Sequence, residues 1–431
     1  MIPIKAVHGR QVFDSRGRPT VEVEVTLVSG PVARASVPSG ASTGANEAHE
    51  LRDGDVRLFN GLGVRAAVEH VNGEIAAALQ GRDALDQADC DALLRDLDGT
   101  ADLSRLGANA VLGSSLAVCR AAAEATGQPL HRRIADLAGA APALPMPMVN
   151  ILSGGMHAGR GMDVQDFLVI PIGATTTFEA LEMAGRMRDA AGAVCAELGL
   201  PTLLADEGGL SPGCRTGREA LQLMMRAAER AGLVPGTDVA IAIDVAATAL
   251  YDRSAQAYHL RREGRHADTG EMIELVESWV REFPVLSVED PLDEEDWDGW
   301  REITARLGGR THLIGDDLFT TNAGRLRHGI DNASATGVLV KVNQNGTLTG
   351  TLDVVATAQA AGYVRIVSAR SGETEDDLLA DLAVGTAAGQ IKVGSLRSSE
   401  RLAKYNQLLR IAEDSTIPFS AYPQPVLTQR G

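Results

Sequence analysis

An excess of positive charge is the first thing this sequence lacks. Its 431 residues include 40 Lys or Arg against 57 Asp or Glu, a formal net charge of −17. A protein that tracks a nucleic-acid backbone needs a basic face, and an acidic chain without long Lys/Arg runs is a poor candidate. Polybasic docking on a membrane surface is disfavoured on the same ground. Aromatic residues are only 3%, so the core must be built from Ala, Val, Leu and Ile. That favours helices packed on parallel strands over an all-β sandwich. The four cysteines, Cys90, Cys119, Cys195 and Cys214, lie far apart with no CxxC pair, which reads as reduced, buried thiols and not as a disulfide framework. There is no run of eighteen apolar residues and no signal-peptide pattern over Met1–His8, so the expectation is a soluble cytoplasmic protein.

What is present is an ordinary globular composition, 45% hydrophobic and 23% charged. The length calls for two domains, or a small domain beside a large barrel. Val21-Glu22-Val23-Glu24-Val25 alternates apolar and acidic residues, the pattern of a half-buried strand, with 31–37 as its neighbour. A loop of small residues follows, Pro38-Ser39-Gly40-Ala41-Ser42-Thr43-Gly44, able to bring backbone groups close to a ligand. Val64, Val68, Val71, Ile75 and Leu79 recur at helical spacing, and residues 106–126 are Ala-rich and helical. The Pro-rich stretch 141–147 divides the chain into 1–140 and 141–431.

Beyond that junction short apolar runs alternate with longer helical ones, and each run ends on a charged residue. These ends are Asp206-Glu207, Asp244, Glu289-Asp290, Asp316-Asp317, Lys341, Arg370 (just beyond Ser368) and Lys392, at steps of roughly 22 to 45 residues. Most steps fit one strand plus one crossover helix. Reactive side chains at the carboxyl ends of successive strands point to a (β/α) barrel with its site on that face. An open doubly wound sheet is the alternative, but it binds at one switch point and would not place functional groups on seven consecutive strands.

Asp244, Glu289 and Asp316 are carboxylates without a sequence-local basic partner. Any one alone reads as a salt bridge or a helix cap. Three on one barrel face would repel at low dielectric, and a hard divalent cation resolves that; Mg²⁺ suits a site that also holds an anion. Zinc does not fit, because no His/Cys cluster has ligand spacing. Lys341, crowded by a metal and a second lysine, has its charged form disfavoured and can serve as a base near neutral pH. Glu207, if it stays protonated, can serve as a general acid. A lysine base, a carboxylic acid and a metal cluster describe proton abstraction beside a carboxylate followed by loss of a leaving group. Arg370 and Ser371, with the Ser42 loop, can hold a phosphate.

These residues sit in motifs that resemble the enolase family, phosphopyruvate hydratases, along almost the whole chain. The motifs are Asp14-Ser-Arg-Gly17, Val37-Pro-Ser-Gly-Ala-Ser-Thr-Gly44, Asp206-Glu-Gly-Gly209, Ser287-Val-Glu-Asp290, Gly315-Asp-Asp-Leu-Phe319, Lys341-Val-Asn-Gln344, Arg370-Ser-Gly-Glu-Thr-Glu-Asp376 and Lys404-Tyr-Asn-Gln407. The use of a Lys or His base with one or two Mg²⁺ ions is the known pattern of the enolase superfamily. The resemblance implies an enolase-type α/β fold, a (β/α)8 barrel capped by a smaller N-terminal α+β domain, and a homodimer or higher homo-oligomer. It implies that Asp244, Glu289 and Asp316 hold one Mg²⁺ and that Ser42 holds a second when substrate binds. It assigns the α-proton to Lys341, protonation of the departing hydroxyl to Glu207, the phosphate to Arg370 and Ser371, and the substrate carboxylate to Lys392. His157 would enter on a mobile loop, with Asp166 near Glu207. The partner expected is a small anionic phosphate or phosphonate, with no nucleic acid and no membrane.

The departures cluster. Ala369 stands where enolases carry His, Asp166 where they carry Glu, Ala205 where they carry Gly and Ser153 where they carry Asn; Arg160 replaces a small polar residue. Asp166, Ala205 and Ala369 fall around Glu207, at the leaving-group end. Asp166 is a methylene shorter than Glu and is expected to fall short of Glu207, while Arg160 adds a cation that can meet an extra anionic group. The expected activity is therefore Mg²⁺-dependent elimination from 2-phosphoglycerate or a close phospho or phosphono analogue. The alternatives are a specialised paralogue of phosphonate antibiotic synthesis, similar to carboxyphosphonoenolpyruvate synthase, and a non-catalytic binding protein on the same frame. Retention of Lys341, Glu207 and the three metal carboxylates argues against the last. His8, His49, His259, His266 and His328 read as surface or packing residues, Met224-Met225 as helix core, and Asp293-Glu-Glu-Asp296 as a solvated helix start.

Overall fold

The fold is taken from a computed structural model that describes residues 1–41 and 43–425. It opens with an antiparallel meander of β1 (Ile4–Phe13), β2 (Pro19–Leu27) and β3 (Val32–Ser36). The alternation read from β2 is real: Val21, Val23 and Val25 are buried and Glu22 and Glu24 half-buried. The buried face lies on the Ala-rich helix Ala108–Thr126, which is buried on nearly every side. Gly113 permits that approach, because a Cβ there would come within 2.7 Å of Val23 Cγ2. The apolar face of 64–79 is a helical stretch too. It runs from Arg65 to Leu79 and widens to a π-type turn over Val71–Ile75, with Val64, Val71, Ile75 and Leu79 fully buried.

A closed barrel follows. Its strands are β4 (Met146–Ser153), β5 (Asp166–Ile170), β6 (Ala240–Asp244) and, after a small sheet of β7 (Tyr251–Asp252), β8 (Ala257–Leu260) and β9 (Arg265–Ala267), β10 (Val285–Glu289), β11 (His312–Gly315), β12 (Gly337–Val340), β13 (Val364–Ser368) and β14 (Gly389–Gly394). Around the ring they pair in the order β4-β5-β6-β10-β11-β12-β13-β14 and back to β4. This is an α/β barrel with a small N-terminal unit. It differs from an all-parallel ring in one place, since β5 runs antiparallel to both neighbours. The strand expected near 202 is absent as well. Residues 200–212 hold only isolated bridges, Leu204 and Leu152 each to Leu210. Pro201, Pro212 and the Gly208-Gly209 pair interrupt any ladder there, and Leu203 and Leu204 are exposed.

The pleat explains how the barrel aims its chemistry. Ala242, Ile314, Leu339 and Ile366 belong to a cluster inside the barrel. Asp244, Asp316, Lys341 and Ser368 each stand two positions later, on the same face of the strand, at its carboxyl end. Alternate residues, such as Val338 and Val340, pack outward in the larger core under the helices. Among the described residues no helix is long and apolar enough to cross a membrane, and the four cysteines are free and buried.

Candidate active site

The three carboxylates expected to hold a metal come from adjacent strands, Asp244 on β6, Glu289 on β10 and Asp316 just past β11, and all three are buried. Two lysines stand among them, Lys392 from β14 across the ring and Lys341 from β12, the neighbour of β11. Lys392 Nζ on β14 donates to Asp244 Oδ2 at 2.8 Å and to Glu289 Oε2 at 2.6 Å. Lys341 Nζ, at the end of β12, pairs with Asp316 Oδ2. Gln344 donates to the other oxygen of Asp316 at 3.0 Å, and Gln165 to Asp244 Oδ2 at 3.1 Å.

This arrangement sets the charges. Burial alone favours neutral carboxyls, but Lys392 holds Asp244, and Lys341 holds Asp316, below the usual carboxylate range. Glu289 goes the other way. Burial first, then the charge of Asp244, push it well above its ordinary value. Its Oε1 is buried with no hydrogen-bond partner. A buried, orphaned carboxylate oxygen between two further carboxylates is the signature of a place that wants a cation, and a purely oxygen donor set fits Mg²⁺. Two tighter groups of possible ligands also occur among the described residues: Asp290, Asp316 and Asp317, and His157, Asp166 and Glu207. In the first, Asp290 is already occupied, since its two oxygens accept the backbone N–H groups of Asp316 and Asp317. The second is better read as a proton store.

That second group corrects two expectations. Glu207 sits on the 205–209 turn and not at a strand end. Nor is it held protonated: burial favours the neutral form, but His157 first, then Arg401, Lys392 and Lys341, outweigh it and keep the carboxylate ionised. The proton is on His157. Burial would lower that imidazole, yet Asp166 and then Glu207 raise it from 6.5 to about 9. His157 lies between the two acids, with Nδ1 2.8 Å from Asp166 Oδ2 and Nε2 3.7 Å from Glu207 Oε1. The shorter Asp166 therefore acts on Glu207 through His157. Its second oxygen accepts from Ser153 Oγ at 2.5 Å, so two of the departures form one hydrogen-bonded unit. Asn150 donates to Glu207 Oε2 at 3.1 Å.

Lys341 is also not lowered here. Burial, Arg370 and Lys392 press it down, but Asp316 and Glu289 more than compensate and hold the ammonium above its usual value. At the expected phosphate position, Arg370 is met by a residue the sequence did not single out. Glu47 Oε2 lies 2.9 Å and Asn343 Oδ1 3.1 Å from its Nη1. Ser371 Oγ accepts from Arg16 at 3.2 Å, and Ser39 pairs through its backbone with Gly372, which ties the small-residue loop to this segment. Ser42 lies outside the described residues. Lys404 acts as a brace: it bonds Glu373 at 3.0 Å, and Glu373 in turn accepts the backbone N–H of Arg370. Ala369 is buried beside Lys392 through its backbone. Arg160 is exposed, and its guanidinium donates to Met156 Sδ at 3.6 Å. Asp293 and Glu294 are buried, contrary to a solvated helix start; only Asp296 caps the helix Trp297–Leu307. Glu47, Gln165, Gln344 and Arg401 were not singled out as site residues. Gln344 lay inside a quoted motif, and Gln165 stood one residue before Asp166.

Two family models match the chain. The model described as Enolase, N-terminal domain, covers residues 4–134, and the model described as Enolase, C-terminal TIM barrel domain, covers residues 141–420.

Proposed function

The chain belongs to the enolase family, an enolase-superfamily lyase by descent, and from that premise we propose that it removes the α-proton of 2-phosphoglycerate, or of a close phospho or phosphono analogue, and eliminates the β-hydroxyl to give an enolpyruvate. The observation that carries this reading is the buried Glu289 Oε1, orphaned beside Asp244 and Asp316 with Lys341 and Lys392 interleaved. Asp244, Glu289 and Asp316 are the residues that would hold Mg²⁺, with Ser42 for a second ion. When bound, Mg²⁺ supplies positive charge against the substrate carboxylate while negative charge builds on it.

The chain's own groups do the rest. Lys341 Nζ takes the α-proton. Burial, Arg370 and Lys392 all favour its neutral form, so the base is available once Asp316 is engaged elsewhere. Lys392 and Arg370 neutralise the carboxylate and phosphate ends, and Ser371 orients the latter. The departing hydroxyl takes its proton through Glu207, which His157 reloads from the store it shares with Asp166. One proton leaves carbon and one joins the leaving oxygen, so water departs and the balance closes.

Purified protein with Mg²⁺ and 2-phosphoglycerate, followed by the ultraviolet absorbance of the enol product, tests this. Turnover of about 1–1000 per second supports it. A second reading, a specialised paralogue for a more highly charged analogue, is favoured by one observation: the Ser153–Asp166–His157 unit rebuilds the leaving-group end while the lysine–carboxylate set is intact. Turnover of a phosphono analogue but not of 2-phosphoglycerate would select that reading. Turnover of neither sinks both.

A further inference from the structure

A cleft of about 320 Å³ opens on the mouth of the barrel between the 154–165 loop and the β7–β9 sheet. Its walls carry Arg160, Arg253, Arg261 and His259. The Arg160 side chain has no carboxylate partner among the described residues, and the Arg261 side chain has no hydrogen bond or ion pair there. Arg253 stands 3.9 Å from Asp293 and 3.8 Å from Glu294, too far for a hydrogen bond. The cleft also has two acids, whose oxygens accept mainly from backbone groups, although Asp252 Oδ2 stands 3.9 Å from His259 Nε2. Asp163 accepts the N–H groups of Arg262 and Glu263, and Asp252 those of Ser254 and Ala255. Arg160 has φ +60. Holding a non-glycine residue in that left-handed region costs about 1–2 kcal/mol.

Unpaired surface arginines alone would be ordinary solvated charge. The second observation is on the floor. Gln165 lines the cleft and is 5% exposed; its amide nitrogen is fixed on Asp244, and its Oε1 has no partner. Three guanidiniums thus outnumber the two carboxylates, Asp163 and Asp252, and the cleft adds one buried acceptor that needs an O–H or N–H donor. An ionised carboxylate satisfies only the first demand. A phosphate or phosphonate carrying one proton satisfies both: its charged oxygens accept from the guanidiniums and its P–OH donates to Gln165.

Resting on the elimination reading above for its placement beside the reacting centre, we propose that this cleft is an anion subsite for a phosphoryl-type group, either the distal end of an elongated substrate or a separate small phosphate. Gln165 spans from it to Asp244, so the subsite and the metal carboxylates share one side chain.

Calorimetric titration of inorganic phosphate into the full chain in Mg²⁺ buffer tests it without any turnover. Arg370→Gln, present throughout, removes the other expected phosphate contact. One phosphate should bind per chain, and adding Arg160→Gln with Arg261→Gln should weaken it by at least about tenfold. Equal affinity in the two proteins, or no binding by the first, overturns the proposal. Matched unfolding midpoints show that the variants fold, and Arg261→Gln alone serves if the combined variant does not. Kinetics separates the sources. If the group belongs to the substrate, Arg261→Gln shifts the ratio of KM for a phosphonate-extended analogue to KM for 2-phosphoglycerate by about tenfold. If it is a separate ion, that ratio holds, and added phosphate changes KM for 2-phosphoglycerate more in the parent than in Arg261→Gln. Phosphate binding with no turnover of any substrate would leave the subsite standing and remove the elimination reading.

Discussion

The two ends of the site handle buried charge in different ways. At the metal end, each lysine meets its carboxylates directly: Lys392 spans Asp244 and Glu289, and Lys341 meets Asp316. The charges there are fixed by pairing, and one carboxylate oxygen is left over. At the leaving-group end one proton serves three groups, with His157 between Asp166 and Glu207. Under the proposed elimination, the first end would stabilise a growing negative charge and the second would pass a proton. Of the departures from the enolase pattern, Ser153 and Asp166 fall on the second. A paired-charge cluster tolerates little change, because stripping one member leaves a buried ion uncompensated. A proton store tolerates more, because its members need only keep their combined affinity.

Four measurements would break or sharpen that contrast. The largest effect is expected at the metal end, where Lys341→Ala should lower kcat by about a hundredfold to ten-thousandfold; a loss under tenfold would mean another group takes the proton. Glu289→Gln should raise the Mg²⁺ needed for half-maximal turnover by more than about tenfold, and an unchanged Mg²⁺ titration would move the metal off the orphaned oxygen. At the other end the sign of the pH effect follows from His157. Its pKa in the folded chain, about 9, lies above the ordinary 6.5, so its contribution to stability is complete below about pH 6.5 and is lost as pH rises through about 9. Denaturant unfolding across that window should show this fall in the parent and a smaller one in His157→Gln; parallel curves would place the proton elsewhere. The smallest effect is a coupling. Ser153→Asn and Asp166→Glu together should cost less than the sum of the two single changes, by about 0.5–3 kcal/mol in unfolding free energy. Strict additivity would separate the two residues.

How much of this was legible in the sequence depends on where a residue stands relative to its strand. Asp244, Glu289, Lys341 and Lys392 were legible because each ends or follows a short apolar run, and the pleat carries the last inward-facing position to the barrel mouth. Asp166 was visible only as a motif letter, because it precedes its apolar run, Phe167-Leu-Val-Ile170. The stretch near Glu207 imitated a strand ending in acids, but its prolines and glycines prevent the ladder. The protonation states were out of reach. Lys392 and Asp244 are 148 residues apart in sequence, and no local pattern records that an ammonium from one side of a ring meets a carboxylate from the other. The pairing of Glu47 with Arg370 is of the same kind.

The reversed direction of β5 has one more consequence. In a parallel barrel, the segment leaving a strand's top must cross to the bottom before the next strand begins. Here the chain leaves β4 at the mouth and enters β5 at the mouth, so the intervening residues form a flap hinged at both ends on the same rim. That flap carries His157, Arg160 and Gln165. Because it starts and ends on one rim, its length is not tied to a crossover helix. A fold with one strand turned around thereby acquires a segment at the barrel mouth that is free of the crossover constraint.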